Sequence, residues 1–269
     1  MPVPTLVVPC YNEAQRLPIE EFSSSIECQH GPRFLFVNDG SRDNTEAVLQ
    51  DLARRNPHKG TVLSLGENRG KAEAVRQGML AAFSRGDTHV GFWDADLATP
   101  LSELSRFESI LLQNPGLSLV LGSRVPLLGN SIRKDPFRHG LGRVVAAAIG
   151  WTLGIQVHDT QCGAKLFRDT AAIRAVFSVP FISRWLFDVE ILARLISLNR
   201  SKMAGEIESI ALELPLTRWD HVEGSKVKPT DFFRAFRDLR RIWLANLAPG
   251  TSFVPEAQQS AAAVRPKAA

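Results

Sequence analysis

Short apolar runs alternate with amphipathic segments up to about residue 125, and this alternation constrains the fold more than any other feature of the chain. Apolar runs that predict strands cover residues 6–9, 33–38, 61–65, 88–93 and 117–122. Segments with helical spacing lie between them, at residues 18–28, 43–55, 70–85 and 100–113. Strands that alternate with helices of this length form parallel βαβ units. The sequence therefore predicts a doubly wound α/β sheet in this part of the chain.

The rest of the chain has a weaker pattern. Helices are predicted at residues 140–154 and 183–199, and a basic helix is predicted at residues 230–247. From Pro249 onward the composition changes to Ala, Pro, Ser and Gln, which is typical of a disordered tail. The three cysteines form no close pair, which argues against a disulfide framework or a zinc site and favours a reducing compartment.

Targeting signals are weak. The first residues lack a basic segment and become polar too early for a signal peptide. The longest nearly uncharged apolar run, residues 144–157, is too short to span a bilayer. We therefore expect a cytoplasmic protein.

The formal net charge of +4 is unevenly distributed. Five basic residues and one acid lie between Arg124 and Arg143, and six basic residues and two acids lie between Lys226 and Arg241. Such clusters favour anionic partners. No nucleic-acid-binding motif accompanies them, so the charge pattern favours phosphates or a lipid surface over nucleic acid.

Two carboxylates, Asp94 and Asp96, follow the apolar run at residues 88–93. They lie at the carboxyl edge of the predicted sheet, where open α/β sheets bind ligands. Residues i and i+2 of a strand point the same way, so the two charges would repel without a cation between them. Mg²⁺ or Mn²⁺ suits such oxygen ligands, and Mg²⁺ is usually held by one or two carboxylates plus substrate phosphates. The motif predicts a metal site that carries a diphosphate, and a solvated turn is the alternative for an isolated Asp-x-Asp.

Polar motifs also follow the first three predicted strands. Tyr11 and Glu13 can contact a nucleotide base and ribose, or they can belong to a helix cap. Helix capping explains Asp43 but leaves Asp39 unexplained. Lys71 lies at a helix N-terminus, where a cation is unfavourable unless an anion compensates, so this terminus is predicted to bind phosphate.

These motifs, VVPCYNE, VNDGS, NRGKAEAVRQGM and WDADLATP, resemble the pattern of glycosyltransferase family 2, whose members have the GT-A fold. Further segments, at residues 121–124, 159–168, 184–190 and 223–226, resemble the subgroup of dolichyl-phosphate glucosyltransferases and polyprenyl-phosphate glycosyltransferases. The resemblance covers roughly residues 4 to 245. Asn38 departs from it, because many members have a second Asp there. The carboxyl-terminal membrane helices of many relatives are also absent, so the mode of membrane attachment stays open.

The resemblance implies a Rossmann-like, mostly parallel sheet flanked by helices, with a helical acceptor-side region. It implies one domain over residues 1–248, with a nucleotide-sugar half at 1–125 and an acceptor half at 126–248, followed by the tail at 249–269. The implied activity is inverting, metal-dependent transfer of a hexose, with glucose expected, from a UDP-sugar to a polyprenyl or dolichyl phosphate. A family 2 transferase with a soluble acceptor and a non-catalytic nucleotide-sugar-binding partner are the alternatives.

The resemblance also implies roles for individual residues. Asp159 and Asp96 are the expected catalytic residues, and Asp94 and Asp96 the expected ligands of Mg²⁺ or Mn²⁺. The expected nucleotide-sugar contacts are Pro9, Tyr11, Glu13, Asp39, Lys71, Asp94, Ser225 and Lys226. The expected contacts to the acceptor phosphate are Arg124, Arg133, Arg138 and Arg143, and a solvated basic surface is the alternative for each of them. Asp188 and Glu190 are candidates for bonds to sugar hydroxyls.

A lipid-linked acceptor implies peripheral attachment to the cytoplasmic face of a membrane. Residues 140–157 form one candidate contact, since they are apolar and follow a basic segment. Residues 230–247 form the other, since Phe232, Phe236, Leu239 and Trp243 fall on one helical face with arginines beside them. The alternative is a helix packed on the protein with a solvated basic back. A homo-oligomer or a membrane-anchored partner stays open.

Overall fold

The computed structural model describes residues 2–132, 136–220 and 230–255, and it describes the side chains of these ranges except at 136–144 and 230–233. A central sheet of seven strands has the order β3-β2-β1-β4-β7-β5-β8. Its strands are β1 (Thr5–Cys10), β2 (Arg33–Asn38), β3 (Gly60–Ser64), β4 (His89–Trp93), β5 (Leu119–Ser123), β7 (Ala164–Arg168) and β8 (Ala211–Pro215). Two short strands, β6 (Ser131–Ile132) and β9 (Arg218–Trp219), pair separately.

Helices cover both faces of this sheet. They are α1 (Ile19–Glu27), α2 (Thr45–Arg55), α3 (Lys71–Ser84), α4 (Leu104–Gln113), α5 (Pro136–Leu153), α6 (Ala171–Ser178), α7 (Phe187–Arg200), α8 (Ile207–Ile210) and α9 (Thr230–Asn246), with a 3-10 turn at Leu101–Glu103 before α4. The helices and strands predicted from the sequence are all present, with boundaries that differ by a few residues. None of the described helices is both long and apolar enough to cross a bilayer.

Strands β1 to β4 are parallel, as the alternation predicts, and so are β5 and β8. The exception is β7, which lies between β4 and β5 and runs antiparallel to both. The sheet therefore continues beyond residue 125, and the sequence pattern missed both β7 and β8. In β7 the pattern is broken by a lysine at position 165, which is buried rather than exposed.

The core forms two layers, one on each face of the sheet. On one face Phe22 of α1 packs edge-on against Phe34 and Phe36 of β2. On the other face Phe92 of β4 packs against Phe187 of α7. Strand β4 is buried along its whole length, as expected for a parallel strand covered on both faces. This packing fixes the carboxyl ends of the strands, where the candidate site lies.

Helix α9 packs against α7 and α5 through Ala235, Leu239 and Ile242. Of the predicted aromatic face, Leu239 is buried, whereas Phe236 and Trp243 remain exposed at its edge. The side chain of Phe232 lies outside the described residues. Leu239 therefore packs on the protein, which is the alternative to a membrane contact, whereas Phe236 and Trp243 are exposed enough to contact a membrane.

Candidate active site

The loops that follow β1, β2 and β3 are joined to one another at the carboxyl edge of the sheet. The Arg42 amide donates to Asn12 Oδ1 (2.9 Å), and the Glu13 amide donates to Thr45 Oγ1 (2.8 Å). Asn12 has a positive φ of 53°, which lets the chain turn sharply after β1. Tyr11 and Glu13 are half-buried in this loop, and Pro9 precedes them within β1. Pro9, Tyr11 and Glu13 therefore lie together at this edge of the sheet.

Asp39 ties the loop after β2 to the loop after β3. Its carboxylate is 2% exposed and accepts from the Arg69 amide (2.7 Å), the Gly70 amide (2.8 Å) and Asn68 Nδ2 (3.1 Å). Three donors leave part of the acceptor capacity of the carboxylate unused. Asp39 thus anchors the segment that leads into α3, and its predicted contact with the base or ribose stays a prediction.

The two aspartates lie in a turn, because β4 ends at Trp93. Strand alternation therefore does not set their directions, and this premise of the sequence argument was wrong. The Asp94 amide donates to the Gly163 carbonyl (2.9 Å), and a Cβ on Gly163 would lie 2.0 Å from Asp94 Oδ2. Only glycine at position 163 leaves room for the Asp94 carboxylate. Asp96 Oδ1 accepts from the Ala98 amide (3.1 Å).

The charges in this turn require compensation. Burial, and after it the negative charge of Asp94, raise the pKa of the Asp96 carboxyl above its ordinary value. The Lys71 ammonium forms an ion pair with Asp94 Oδ1. Burial alone would lower the pKa of Lys71, but the charges of Asp94 and Asp188 outweigh burial and raise it. One ammonium thus partly balances several carboxylates, and the site can accept a further cation.

The residues of this turn fit a hard divalent cation. Asp94 Oδ1 is buried, has its ion pair with Lys71, and accepts no hydrogen bond of good geometry. Among the described residues, no group of three or more His, Cys, Asp or Glu side chains could hold a metal together. The protein can supply two carboxylates, which is the usual share for Mg²⁺ when water and substrate phosphates complete the coordination.

The 159–163 turn contacts Asp94 through Gly163, and the buried side chain of Lys165 binds two of its carbonyl groups. Lys165 is 1% exposed, and its ammonium donates to the carbonyls of Thr160 (2.9 Å) and Cys162 (2.8 Å). It also donates to Asp188 Oδ1 (2.6 Å) at the start of α7. Burial raises the pKa of Asp188, although the charges of Lys165 and Lys71 oppose this. The ion pair therefore connects the turn, the sheet and α7.

Asp159 is bound on one side by Arg124. The guanidinium donates through Nε to Asp159 Oδ2 (2.6 Å) and through Nη2 to Oδ1 (2.8 Å), and the Arg124 amide also donates to Oδ2 (2.9 Å). The guanidinium lies over the Trp219 ring, 5.5 Å from its centroid. The Asp159 amide donates to Glu213 Oε1 (2.7 Å) on β8. The predicted catalytic residue Asp159 and one predicted phosphate contact, Arg124, therefore form one pair.

Other predicted residues fall elsewhere. Glu190 is fully buried, accepts from Arg194 (2.7 Å) and from the Ile182 amide (2.8 Å), and cannot reach a sugar, so that expectation was wrong. Asp188 is buried and pairs with Lys165, and its charge also acts on Lys71, so its contact with a sugar stays a prediction. Arg133, Ser225 and Lys226 lie outside the described residues. Arg138 and Arg143 belong to α5, and their side chains lie outside the described residues.

Sequence reasoning missed four residues that shape the site, namely Lys165, Arg184, Glu213 and Trp219. Arg184 is exposed, and its side chain lies where a Cβ on Gly70 would contact it at 3.3 Å, beside the N-terminus of α3. Lys165 lay within the recognised segment 159–168, but a lysine in a short strand is usually at the surface, and this concealed its burial. Arg184 was within a recognised motif, and its distance from α3 in sequence concealed its position.

A family model described as Glycosyl transferase family 2 matches residues 5–171. The dolichyl-phosphate beta-glucosyltransferase of Drosophila melanogaster is 34% identical over 267 residues, which covers 90% of this chain and 75% of the relative. The Homo sapiens protein of the same name is 34% identical over 239 residues, covering 84% of this chain and 69% of the relative. The Saccharomyces cerevisiae protein of that name is 31% identical over 264 residues, covering 90% and 75%.

Solved structures share the fold. Glucosyl-3-phosphoglycerate synthase from Mycobacterium tuberculosis, in complex with Mn²⁺, UDP-glucose and phosphoglyceric acid, superimposes with a TM-score of 0.62 at 20% identity, covering 90% of this chain and 78% of that chain. Its complex with Mg²⁺ and UDP gives a TM-score of 0.60 at 21% identity, covering 89% and 79%. The predicted GT-A fold, a mostly parallel sheet flanked by helices, is confirmed.

Proposed function

The chain belongs to glycosyl transferase family 2, and on that premise we propose that it transfers glucose from UDP-glucose to a polyprenyl or dolichyl phosphate, with inversion. Membership of the family makes the chain a glycosyltransferase. Relatives at 31–34% identity that span most of the chain are named dolichyl-phosphate beta-glucosyltransferases, which supports glucose as the sugar and a lipid phosphate as the acceptor. The UDP donor and the inversion are carried over from the family resemblance.

The donor is proposed to bind across the loops that follow β1, β2 and β3. Tyr11 stacks on the base, while Glu13 and the free acceptor capacity of Asp39 bind the nucleoside, with Pro9 shaping the floor. Asp39 also holds the amides of Arg69 and Gly70, which lead into α3. The N-terminus of α3 and the Lys71 ammonium then face the diphosphate, in line with the affinity of helix N-termini for phosphate. Ser225 and Lys226 are proposed diphosphate contacts from the resemblance alone.

Asp94 and Asp96 are proposed to hold one Mg²⁺ or Mn²⁺. When bound, the ion supplies Lewis-acid stabilisation of the charge that develops on the leaving diphosphate. The protein contributes the fixed geometry around it, because Gly163 and the Asp94 amide hold the turn in place. Lys71 contributes a second positive charge at Asp94.

The pairing of Asp159 with Arg124 is the observation that carries the acceptor assignment. A carboxylate that accepts charge-assisted bonds from a guanidinium is a poorer proton acceptor than a free one. A phosphate monoester is largely ionised near neutral pH, so it needs no strong base to attack the sugar. The guanidinium has five N–H donors, and those not used by Asp159 can bind the phosphate. Arg133, Arg138 and Arg143 are proposed as further phosphate contacts from the resemblance.

A family 2 transferase with a soluble acceptor is the second candidate. The solved structures with phosphoglyceric acid share the fold at about one fifth identity, and likeness at that level carries only the fold. The relatives named for dolichyl phosphate are more similar and favour the lipid acceptor. A lipid acceptor requires the enzyme to work at a membrane, so we propose peripheral attachment to the cytoplasmic face.

A donor panel assayed with and without a short-chain polyprenyl phosphate tests this function. We expect glucose transfer from UDP-glucose, in the presence of Mg²⁺ or Mn²⁺, only when the lipid phosphate is added. The product should carry glucose on the phosphate with the β configuration, which NMR of the purified product measures. Equal transfer to a soluble hydroxyl acceptor would instead favour the second candidate.

A further inference from the structure

A loop of four consecutive apolar residues, Val125-Pro126-Leu127-Leu128, lies at the surface directly after Arg124. We call it the apolar rim loop. Leu127 is 50% exposed and Leu128 is 106% exposed, the highest value among the exposed large apolar side chains in the described part of the chain. Single exposed leucines are common, but a run of this length at the surface is avoided unless it has a function.

The exposed tip is a well-formed turn. The Asn130 amide donates to the Leu127 carbonyl (3.1 Å), and Gly129 has a φ of 90°, as at the third position of a type II turn. Asn130 Nδ2 donates to the Leu216 carbonyl (2.8 Å), and the Ser131 amide donates to the Thr217 carbonyl (2.8 Å). The protein thus holds Leu128 away from its own surface instead of folding it inward.

The loop is continuous with the proposed acceptor site. It begins after Arg124, which pairs with Asp159 and lies over Trp219. The four residue-to-residue steps from Arg124 to Leu128 can span at most about 14 Å, which limits the distance between the backbone at the phosphate contact and the tip. β6, which follows the turn, pairs with β9, which contains Trp219. The rim loop therefore borders the site where a lipid phosphate is proposed to bind.

We propose that the apolar rim loop inserts Leu127 and Leu128 into the hydrocarbon edge of a lipid bilayer, next to the site where the acceptor phosphate binds. The inference rests on the proposed function, since a lipid-linked phosphate keeps its chain in the bilayer while its phosphate is at Arg124. A protein partner fits less well, because a stable interface buries about 800 Å² on each partner and this tip is a small convex turn. Insertion into a membrane requires no such area, because an apolar side chain is stabilised there by contact with the acyl chains just below the headgroups.

Vesicle flotation with the full chain tests the insertion. The variants are Leu128→Ser, Leu128→Phe as the conservative change, and Leu112→Ser as the matched control. Leu112 is an exposed leucine near the end of α4, which precedes β5, whereas the rim loop follows β5. We expect Leu128→Ser to weaken binding about tenfold, since burying a leucine is worth about that factor or more. Leu128→Phe and Leu112→Ser should bind like the wild type.

The ratio of wild-type to Leu128→Ser binding should be the same for phosphatidylcholine vesicles and for vesicles that also contain phosphatidylglycerol. The reason is that an uncharged side chain gains little from anionic headgroups. Unchanged binding of Leu128→Ser, or equal losses in Leu112→Ser, would overturn the proposal. If Leu128→Ser differs from the wild type in sedimentation coefficient but not in vesicle binding, the loop contacts protein, and this result would also overturn the proposal.

Glucose transfer to a water-soluble short-chain polyprenyl phosphate, without vesicles, separates this proposal from the proposed function. Leu128→Ser should keep wild-type turnover there, because no bilayer is present. If the wild type itself transfers nothing to the phosphate, the proposed function fails, while the flotation result still reports on the rim loop. If only Leu128→Ser loses transfer, the loop acts inside the site and the insertion is wrong.

Discussion

The loops after β1, β2 and β3 and the 159–163 turn reach the same edge of the sheet by different routes. The loops follow consecutive parallel strands, so the βαβ pattern alone brings Asp39 next to the start of α3. The turn precedes β7, which enters the sheet antiparallel between β4 and β5. Its contacts with Arg124, Glu213 and Lys165 depend on packing across the whole molecule.

This difference suggests a division of labour. The loops are hydrogen-bonded among themselves, so the proposed donor site is formed by local contacts. The turn is held by ionic side chains: the Lys165 ammonium donates to two of its carbonyl groups, and Arg124 pairs with Asp159. Asp94 is the meeting point, since its amide binds the turn and its carboxylate binds Lys71 of α3. Substitutions on the two sides should therefore give different kinetic results, and those at the meeting point should affect both.

The largest effect is expected for Asp96→Ala, two residues after the meeting point, because Asp96 is the second proposed metal ligand beside Asp94. Loss of the metal site should lower transfer at least about 1,000-fold, because Lewis-acid stabilisation is worth several kcal/mol. Calorimetry should show that Mn²⁺-dependent UDP binding is lost while the melting temperature is kept. Asp51→Ala, at an exposed acid on α2, is the matched control and should behave like the wild type. Unchanged Mn²⁺-dependent UDP affinity in Asp96→Ala would refute the metal assignment.

A turnover defect without a donor-binding defect is expected when the support of the turn is removed. Lys165→Met alone should be strongly destabilised, by about 3–5 kcal/mol, because Asp188 remains buried without its partner. The double variant Lys165→Met/Asp188→Leu should recover much of the melting temperature. Its turnover should still be about 100-fold lower, because the 159–163 turn loses its two carbonyl contacts and shifts. Its UDP affinity should stay close to that of the wild type.

The other buried ion pair provides the comparison for this experiment. Glu190 and Arg194 are both buried in α7, and Arg194 also donates to the carbonyls of Val176 and Pro180. Glu190→Gln/Arg194→Met should lose stability without a specific loss of turnover per folded molecule. Equal turnover losses in the two double variants would show that Lys165 acts only through general stability.

Sequence reasoning predicted the strands and helix starts around the proposed donor site, because these elements depend on local patterns. Apolar runs, turn residues and helix starts predicted β1 to β5 and the edge that carries Asp39, Lys71 and Asp94. It missed β7, because Lys165 and Arg168 in a five-residue strand look like surface charges. It also gave Glu190 a sugar contact, because the sequence places Arg194 one helical turn away but does not reveal that both side chains are buried. Buried polar pairs are specified by tertiary packing, which periodicity does not detect.

A smaller effect is expected for Asp159→Asn, on the acceptor side. Turnover should fall by less than about 100-fold, since the acceptor is already anionic and base catalysis typically contributes about that much or more. The acceptor KM should rise as Arg124 loses its charged partner, while the donor KM stays the same. Steady-state kinetics with a short polyprenyl phosphate measures both. A loss as large as that of Asp96→Ala would indicate obligate base catalysis and a hydroxyl acceptor.

The smallest effect is expected for Asp39→Ala, on the donor side. The donor KM should rise about tenfold, since hydrogen bonds to a charged group are worth about 1.5–3 kcal/mol, and the preference for UDP over GDP should weaken. Because Asp39 also anchors the loop before α3, Asn68→Ala serves as the control. It removes one anchoring bond and keeps the carboxylate. If Asn68→Ala reproduces the full change in donor KM, Asp39 is an anchor and the nucleoside is bound by other groups. If only Asp39→Ala changes the choice of base, the carboxylate contacts the nucleoside. The loops after β1, β2 and β3 would then determine the choice of donor without the 159–163 turn.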